Sequence, residues 1–408
     1  GYRMRKCVGR HPLGVTAGTL ALVAVLAASG MALWQARQAR QGAADLREMN
    51  HFLLEVTQAS DPFDADRELT LSEALDVAAT RTDERFAGRP ELAAELRFGI
   101  GYSMLSRYRL EAADTQLARA LAESRTAFGE DDIRTLRVGD AIAYLRQEQD
   151  RGQEAEAGFR NVIARLQRNR LTDDPLYGNV LGNLGNLFLV REDYRQADPW
   201  LRQAMAWFDV HPDAPANDRA NILSNLAHAA HGLEDLPRAD ALYARAQAAM
   251  AIAYPQGSPD QAILLNNRAL LAEDRGDRAT ALALHRQSLA MRRKVFSSEH
   301  PMTLTALTNV ARVSLETGEA KQALPLAEAA GAMADRVYAD APNGRHASTW
   351  ATVADVRLAN GDVAGASAAL RRADAVLAPV KDPAPSMLAY LDKVRARVCT
   401  TAAACQAR

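Results

Sequence analysis

The hydrophobic and polar positions of the chain follow two patterns, one at its start and one over most of the rest. Residues 13–34 read LGVTAGTLALVAVLAASGMALW, a run of 22 positions without an ionisable side chain. As a helix this run is about 33 Å long, enough for the ~30 Å hydrocarbon core of a bilayer. Trp34 ends the run, where an indole ring favours the membrane interface. The pattern predicts a transmembrane helix over residues 12–35.

Three features of this apolar run bear on topology. It also fits a signal peptide, with Met4 as the start and small residues at 27–32 for cleavage, but it exceeds the roughly 7–15 residues of a signal core. Basic side chains are denser before it than after it, which predicts a cytoplasmic N-terminus and an extracytoplasmic remainder. Gly14 and Gly18 form a G-x-x-x-G step. This step is either a homodimer face or the ordinary small-residue content of a membrane helix.

From about residue 91 onwards the pattern has a period of 42 residues. Turn-forming pairs such as Glu192-Asp193 and Gly276-Asp277 recur at this interval. Small residues that follow each turn are spaced 42 apart, the last at 43: Ala113, Ala155, Ala197, Ala239, Ala281, Ala323 and Ala366. One helix ending at each turn and another beginning there would form a hairpin, whose helices cross closely at the small residues. A single hairpin cannot bury its apolar face, so consecutive hairpins must stack.

Composition narrows the classes of function. Apolar residues make up 48% of the chain and aromatic residues 6%, a balance typical of close-packed helices. Lys and Arg total 49 against 50 Asp and Glu, which excludes a chain that binds nucleic acid over its whole length. Three cysteines exclude a disulfide scaffold and a cysteine-rich zinc protein.

The repeats resemble the tetratricopeptide repeat. The small residues of that family match Gly185 and Ala227 in the first helix and Ala197 and Ala239 in the second. The usual period is about 34 residues, and the longer one here is similar to that of kinesin light chains, whose acidic-His-Pro linker step appears at residues 299–301. The resemblance implies an all-α fold: a superhelical solenoid of about seven helical hairpins, preceded by one transmembrane helix. It also implies a protein or peptide ligand.

The first ninety residues resemble the juxtamembrane and membrane region of bacterial transmembrane serine/threonine protein kinases with C-terminal tetratricopeptide repeats. The resemblance rests on the order of YRMRK at residues 2–6, LWQAR at 33–37, FLLE at 52–55 and Asp61-Pro62. In those proteins the kinase domain precedes the basic stretch. The chain has no glycine-rich loop followed by V-A-I-K, no H-R-D and no D-F-G motif. We therefore expect no catalytic residue and no cofactor in this chain, and ATP and Mg only if a kinase domain lies upstream.

These patterns divide the chain into five expected segments: a basic cytoplasmic segment over residues 1–11, the transmembrane helix over 12–35, a helical linker over 36–90, seven tetratricopeptide repeats over 91–378, and a C-terminal helix and tail over 379–408. The resemblance implies a single-pass protein of the inner (cytoplasmic) membrane whose repeats lie outside the cytoplasm.

Four asparagines give the clearest candidate binding site. Asn183, Asn225, Asn267 and Asn309 stand 42 residues apart, at the sixth position of the first helix in repeats three to six. In the family the first helices line a concave groove, and a primary amide there both donates to and accepts from a peptide backbone. We call these four residues the asparagine ladder. Neighbouring groove positions are polar: Asn179, Asn186, Asn221, His228 and Arg312. Each Asn could instead brace its own linker, a structural role repeated by internal duplication, and the two roles do not exclude each other.

Metal and disulfide chemistry have few candidates. His228 and His231 form the only close histidine pair, and because no third ligand lies nearby we expect no metal site. Cys399 and Cys405 either form a disulfide, which an extracytoplasmic location would permit, or remain free thiols on a frayed end.

The favoured function is the sensing region of a membrane-bound serine/threonine kinase whose catalytic domain is missing from this chain. A membrane-tethered repeat scaffold without a kinase is the second candidate, and a periplasmic repeat protein released by signal cleavage is the third. The coding sequence upstream of Gly1 distinguishes them.

Overall fold

The computed structural model describes residues 31, 34–37, 40–52, 54–56, 70–295, 299–339, 343–380 and 385–401. These residues form helices joined by short turns, and no strand occurs among them, so the expected all-α fold is confirmed. The chain divides into two compact units, Gly1–Asn169 and Arg170–Arg408.

The predicted transmembrane helix lies almost wholly outside the described residues, as does the G-x-x-x-G step of Gly14 and Gly18. Within the described ranges, no helix combines the length and apolar character that a membrane crossing requires. Membrane insertion, orientation and the homodimer face therefore stay predictions.

The first unit begins with helical segments at residues 40–52 and 54–56. Five further helices follow: α1 (Leu71–Arg85), α2 (Pro90–Leu105), α3 (Leu110–Phe128), α4 (Ile133–Glu148) and α5 (Gly152–Arg168). Two hairpins, α2–α3 and α4–α5, stack through α3 and α4.

The early helical segment packs against the helix that precedes these hairpins. Phe52 lies edge-on to Phe86, with ring centroids 5.4 Å apart, and both side chains are buried in one core with α2. Arg89 binds Asp45 and Glu48. Part of the expected linker is thus docked onto the beginning of the repeats.

The second unit holds five hairpins and a final helix. Its helices are α6 (Pro175–Val190), α7 (Tyr194–Val210), α8 (Ala216–Gly232), α9 (Leu236–Ala253), α10 (Pro259–Asp274), α11 (Arg278–Val295), α12 (Pro301–Glu316), α13 (Ala320–Val337), α14 (Gly344–Ala359), α15 (Val363–Leu377) and α16 (Pro385–Thr401). The first helices of the hairpins are α6, α8, α10, α12 and α14. Helix α16 packs on α14 as the first helix of a further repeat would.

Local sequence explains where these helices start. Asp174 and Ser258 accept hydrogen bonds from backbone N–H groups of the first turns of α6 and α10, and Pro175 and Pro259 occupy the following positions. Such side chains accept hydrogen bonds from N–H groups that have no partner inside the helix. Proline is accommodated at the next position because it has no N–H group that needs a partner.

The turn inside each hairpin contains one residue with positive φ, and these residues keep the 42-residue period with a final step of 43: Tyr108, Asp150, Glu192, Glu234, Gly276, Gly318 and Gly361. The first turn, between α2 and α3, follows the same pattern. Helix α3 begins at Leu110, in register with α5 at Gly152, so the first turn has the same geometry as the others.

Small residues allow the close helix crossings that the period predicts. Ala197 and Ala227 are completely buried. A Cβ atom added to Gly185 would lie 2.6 Å from the Leu201 side chain, closer than packed carbon atoms come. Small residues therefore recur every 42 residues because the two helices of each hairpin contact each other closely at these positions.

Candidate protein-binding groove

The asparagine ladder and its neighbours lie on the first helices of the second unit. All nine candidate residues are partly buried, neither in the core nor fully exposed. Consecutive first helices contact one another, α6 with α8, α8 with α10, and α12 with α14. The candidate side chains are therefore positioned to bridge neighbouring helices or to meet a ligand.

Two of the flanking asparagines are braces. Asn179 donates from Nδ2 to Oδ2 of Asp218 at 3.0 Å, and Asn221 makes the same bond to Asp260 at 3.2 Å. Burial raises the pKa of Asp260, and the hydrogen bond from Asn221 opposes that shift. Each bond joins a first helix to the beginning of the next, so Asn179 and Asn221 link consecutive repeats.

The ladder itself divides into two kinds of residue. Asn309 donates from Nδ2 to Oδ1 of Asn266 at 3.0 Å, and Asn183 also has a polar partner. In contrast, the side chains of Asn225 and Asn267 make no hydrogen bond to any described residue. The two middle amides keep their donors and acceptors available for a ligand.

Arg312 is held in place by a buried carboxylate. Its two terminal nitrogens donate to Oε2 and Oε1 of Glu273 at 2.7 and 2.9 Å, and Nε2 of the fully buried His285 lies 2.8 Å from the same carboxylate. Burial raises the pKa of Glu273, but the hydrogen bonds from His285 and Arg312 outweigh it and lower the pKa to about 2. Glu273 thus stays charged and links α10, α11 and α12.

A cavity of about 1130 Å³ lies at the C-terminal end of the ladder. Side chains of α12, α14 and α16 form most of its wall, including Asn309 and Arg312. Tyr390 and Thr352 hydroxyls are 3.1 Å apart across it, and Arg397 binds Asp355 at 2.6 Å. Four cations line it against two carboxylates: Arg278, Arg312, Lys393 and Arg397 face Glu316 and Asp355. The cavity carries more cationic than anionic side chains and is large enough for several side chains of a ligand.

The two neighbouring histidines have different surroundings. His231 binds Asp274 through Nε2 at 2.6 Å, another link between first helices. The His228 ring lies 5.8 Å from the Tyr194 ring, and burial, with a smaller contribution from His231, lowers its pKa to about 4. His228 is therefore neutral at pH 7. Across the part of the chain that the structure describes, no group of three or more His, Cys, Asp or Glu side chains is placed to hold a metal ion.

Cys399, near the end of α16, is disulfide-bonded. Cys405, the partner that the sequence suggests, lies outside the described residues, so the pairing stays a prediction.

Sequence reasoning missed the partners of the groove residues. Asp218 and Asp260 are themselves 42 residues apart, a signal that a search of the period for acidic residues would have found. Lys393 and Arg397 gave no such signal, because α16 lies beyond the last 42-residue unit.

Comparisons with known proteins agree with this geometry. The tetratricopeptide repeat family matches residues 131–208 and 260–336. No curated protein matched the chain in a sequence comparison.

Among solved structures, a signal transduction ATPase with numerous domains and a tetratricopeptide repeat sensor, from Pyrococcus horikoshii, is 12% identical with a TM-score of 0.54. The match covers 85% of this chain and 54% of that one. A Rap protein complexed with competence and sporulation factor is 13% identical with a TM-score of 0.52, over 74% of this chain and 80% of the other. Kinesin light chain-like repeats of Podosopora anserina are 21% identical with a TM-score of 0.40, over 49% and 95%. The family match over these two ranges and the fold shared with the first two structures show that the repeating hairpins have the tetratricopeptide repeat fold.

Proposed function

We propose that the first helices of the second unit bind an extended protein or peptide segment, and that Asn225 and Asn267 hydrogen-bond its backbone. The observation that carries this proposal is the pair of amides without a hydrogen bond to any described residue, between braced neighbours in a row that ends at a large cavity lined by Asn309. An amide that the fold does not use can bond a ligand without breaking an internal contact, whereas Asn179 and Asn221 cannot.

The test starts from a peptide selected by display against the purified chain. Replacing Asn225 and Asn267 together by Ala should weaken its affinity by about tenfold, because each neutral hydrogen bond contributes about 0.5–1.5 kcal/mol. The matched control replaces Asn179 and Asn221, which should lower the melting temperature and leave affinity in the folded protein near wild type. Unchanged affinity in a well-folded Asn225/Asn267 variant would show that the peptide binds elsewhere.

We further propose that this region is the extracytoplasmic sensor of a membrane-bound serine/threonine protein kinase whose catalytic domain precedes Gly1. The resemblance of the first ninety residues supports this assignment. The docked segments at residues 40–52 and 54–56 provide a route for coupling, because contacts such as Arg85 with Glu55 connect α1 to the residues that follow the apolar run. Ligand binding would then change the spacing or pairing of the membrane helices.

Topology provides the test of the membrane assignment. A reporter enzyme that is active only in the periplasm, fused after Arg408, should be active. Activity of a cytoplasmic reporter at the same position would overturn the orientation.

A membrane-tethered repeat scaffold without a kinase is the second candidate function. The two candidates share the groove and the membrane helix, so the coding sequence decides between them. An open reading frame upstream of Gly1 with kinase motifs supports the sensor, and a start codon near Met4 supports the scaffold.

A further inference from the structure

Arg292, in α11, is buried without a counter-ion. Its side chain is only 2% exposed. One terminal nitrogen donates to the backbone oxygen of Met302, and Nε has no hydrogen-bond partner. Among the described residues, no carboxylate lies within ion-pair distance of this guanidinium. Buried charges in folded proteins are ordinarily paired, so this environment is incomplete.

The position carries no charge in the other repeats. Equivalent residues at steps of 42 are buried: Ser124, Leu166, Phe208, Met250 and Ala334. Leu377, at a final step of 43, is partly buried. An aliphatic side chain would therefore fill the site without a charge, and the fold itself does not require an arginine there.

The Arg292 side chain remains charged at neutral pH. Burial lowers its pKa to about 10, and the nearby charge of Arg345 lowers it further in the same direction. A group with that pKa is almost fully protonated at pH 7. The guanidinium is therefore not neutralised by losing a proton, and the unfavourable free energy of burying its charge remains. A bound anion would offset that free energy.

A second cation lies beside it. Arg345, at the beginning of α14, is exposed and makes no ion pair with a described carboxylate. Burial raises the pKa of Tyr338, which is 9% exposed at the end of α13, and the charge of Arg345 opposes that shift. The nearby carboxylates are occupied, since Glu299 binds Arg336 and Asp335 binds His346 and Arg372. The surroundings of Arg292 therefore supply hydrogen-bond donors without a matching acid.

We propose that Arg292 and Arg345 bind a small oxyanion of the phosphate or sulfate class, at the edge where α11, α12 and α14 meet. A planar guanidinium matches two oxygens of such an anion at once, and the unused Nε of Arg292 supplies a donor that no protein group engages. This site is independent of the asparagine ladder, so its failure would leave the proposed peptide groove untouched.

The test is titration of the purified full chain with inorganic phosphate, at constant ionic strength set with chloride. Isothermal calorimetry should show one site per chain, and 100-fold excess phosphate over Kd should raise the melting temperature by roughly 5 °C. Arg292→Met should abolish both effects, and the variant should fold because Met250 occupies the equivalent position one repeat earlier. Arg345→Gln, an exposed change, should weaken binding at least tenfold.

Absence of binding to the wild-type chain would overturn the proposal, as would equal phosphate stabilisation of wild type and Arg292→Met. If Arg292→Met does not fold, unchanged phosphate affinity in Arg345→Gln overturns it instead. The natural ligand could be a free phosphate ion or a phosphate group on a larger molecule, and a parallel titration with phosphoethanolamine distinguishes the two. Binding as tight as that of phosphate indicates a phosphate group on a larger molecule. Weaker binding indicates the free ion.

Discussion

Among the residues that the structure describes, two arginines are almost completely buried, one in each unit, and their surroundings differ. In the first unit Arg97 binds Asp83, reaches Glu123 through Nε at 2.9 Å and donates to Gln116 at 2.9 Å. In the second unit Arg292 has a single backbone carbonyl and no carboxylate. The first arrangement links α1, α2 and α3 and is complete within the chain. The second leaves a charge that the chain does not balance. Burial of the same side chain thus marks a structural link in one unit and a candidate ligand site in the other.

The largest expected effect is at Arg97. Arg97→Met should lower the free energy of unfolding by about 3 kcal/mol, because Glu123 would remain partly buried without its partner. Chemical denaturation of the full chain, followed by circular dichroism, measures the change. Arg119→Met is the matched control: it removes an exposed partner of the same Asp83 and should cost less than 1 kcal/mol. An equal loss of unfolding free energy in the two variants would show that the buried Arg97 contributes no more to stability than the exposed Arg119.

An effect of similar size should depend on pH. The pKa of Glu273 is about 2 in the folded chain against 4.5 for an unperturbed glutamate. Its contribution to stability, about 3 kcal/mol, is therefore present above about pH 4.5. That contribution is lost as pH falls from about 4.5 towards 2. Glu273→Gln should therefore be less stable at pH 7 and should have a flatter pH profile over this range. Glu316→Gln, which removes the more exposed partner of Arg312, is the control, and a steep acid profile retained in Glu273→Gln would contradict the assignment.

Arg292→Met should change stability in the opposite direction to Arg97→Met. Without phosphate, replacing an unpaired buried charge by an apolar residue should raise the free energy of unfolding by about 1–2 kcal/mol. Thermal melts in a phosphate-free buffer measure it. A loss of unfolding free energy as large as that of Arg97→Met would mean that Arg292 has a compensating contact within the fold. The two buried arginines would then not differ as described.

The smallest expected change in stability distinguishes the bracing asparagines from the unbonded asparagines of the ladder. Asn179→Ala should cost about 1 kcal/mol, because it removes the hydrogen bond to Asp218. Asn267→Ala, on an equivalent first helix, should leave the melting temperature within a degree of wild type. Similar destabilisation by both changes would assign the whole row to bracing.

The periodic features could be predicted and the aperiodic ones could not. Ala197, Ala239 and their equivalents predicted the hairpins because close crossings demand small residues at a fixed interval. The roles of single polar residues depend on contacts between repeats. Asn267 and Asn309 occupy the same repeat position, yet only Asn309 is bonded, to Asn266. Arg292 is the extreme case, since it begins the basic run Arg292-Arg293-Lys294, which is typical of an exposed helix end.

The measurement that tests the central claim most directly is a parallel determination of melting temperature and peptide affinity for the four single Ala substitutions along the asparagine ladder. The account predicts that Asn225→Ala and Asn267→Ala each lose affinity by about two- to tenfold at an unchanged melting temperature, whereas Asn309→Ala melts earlier because Asn266 loses its donor. Earlier melting in all four variants, with wild-type affinity in the folded fraction, would contradict it and leave the ladder a purely structural feature.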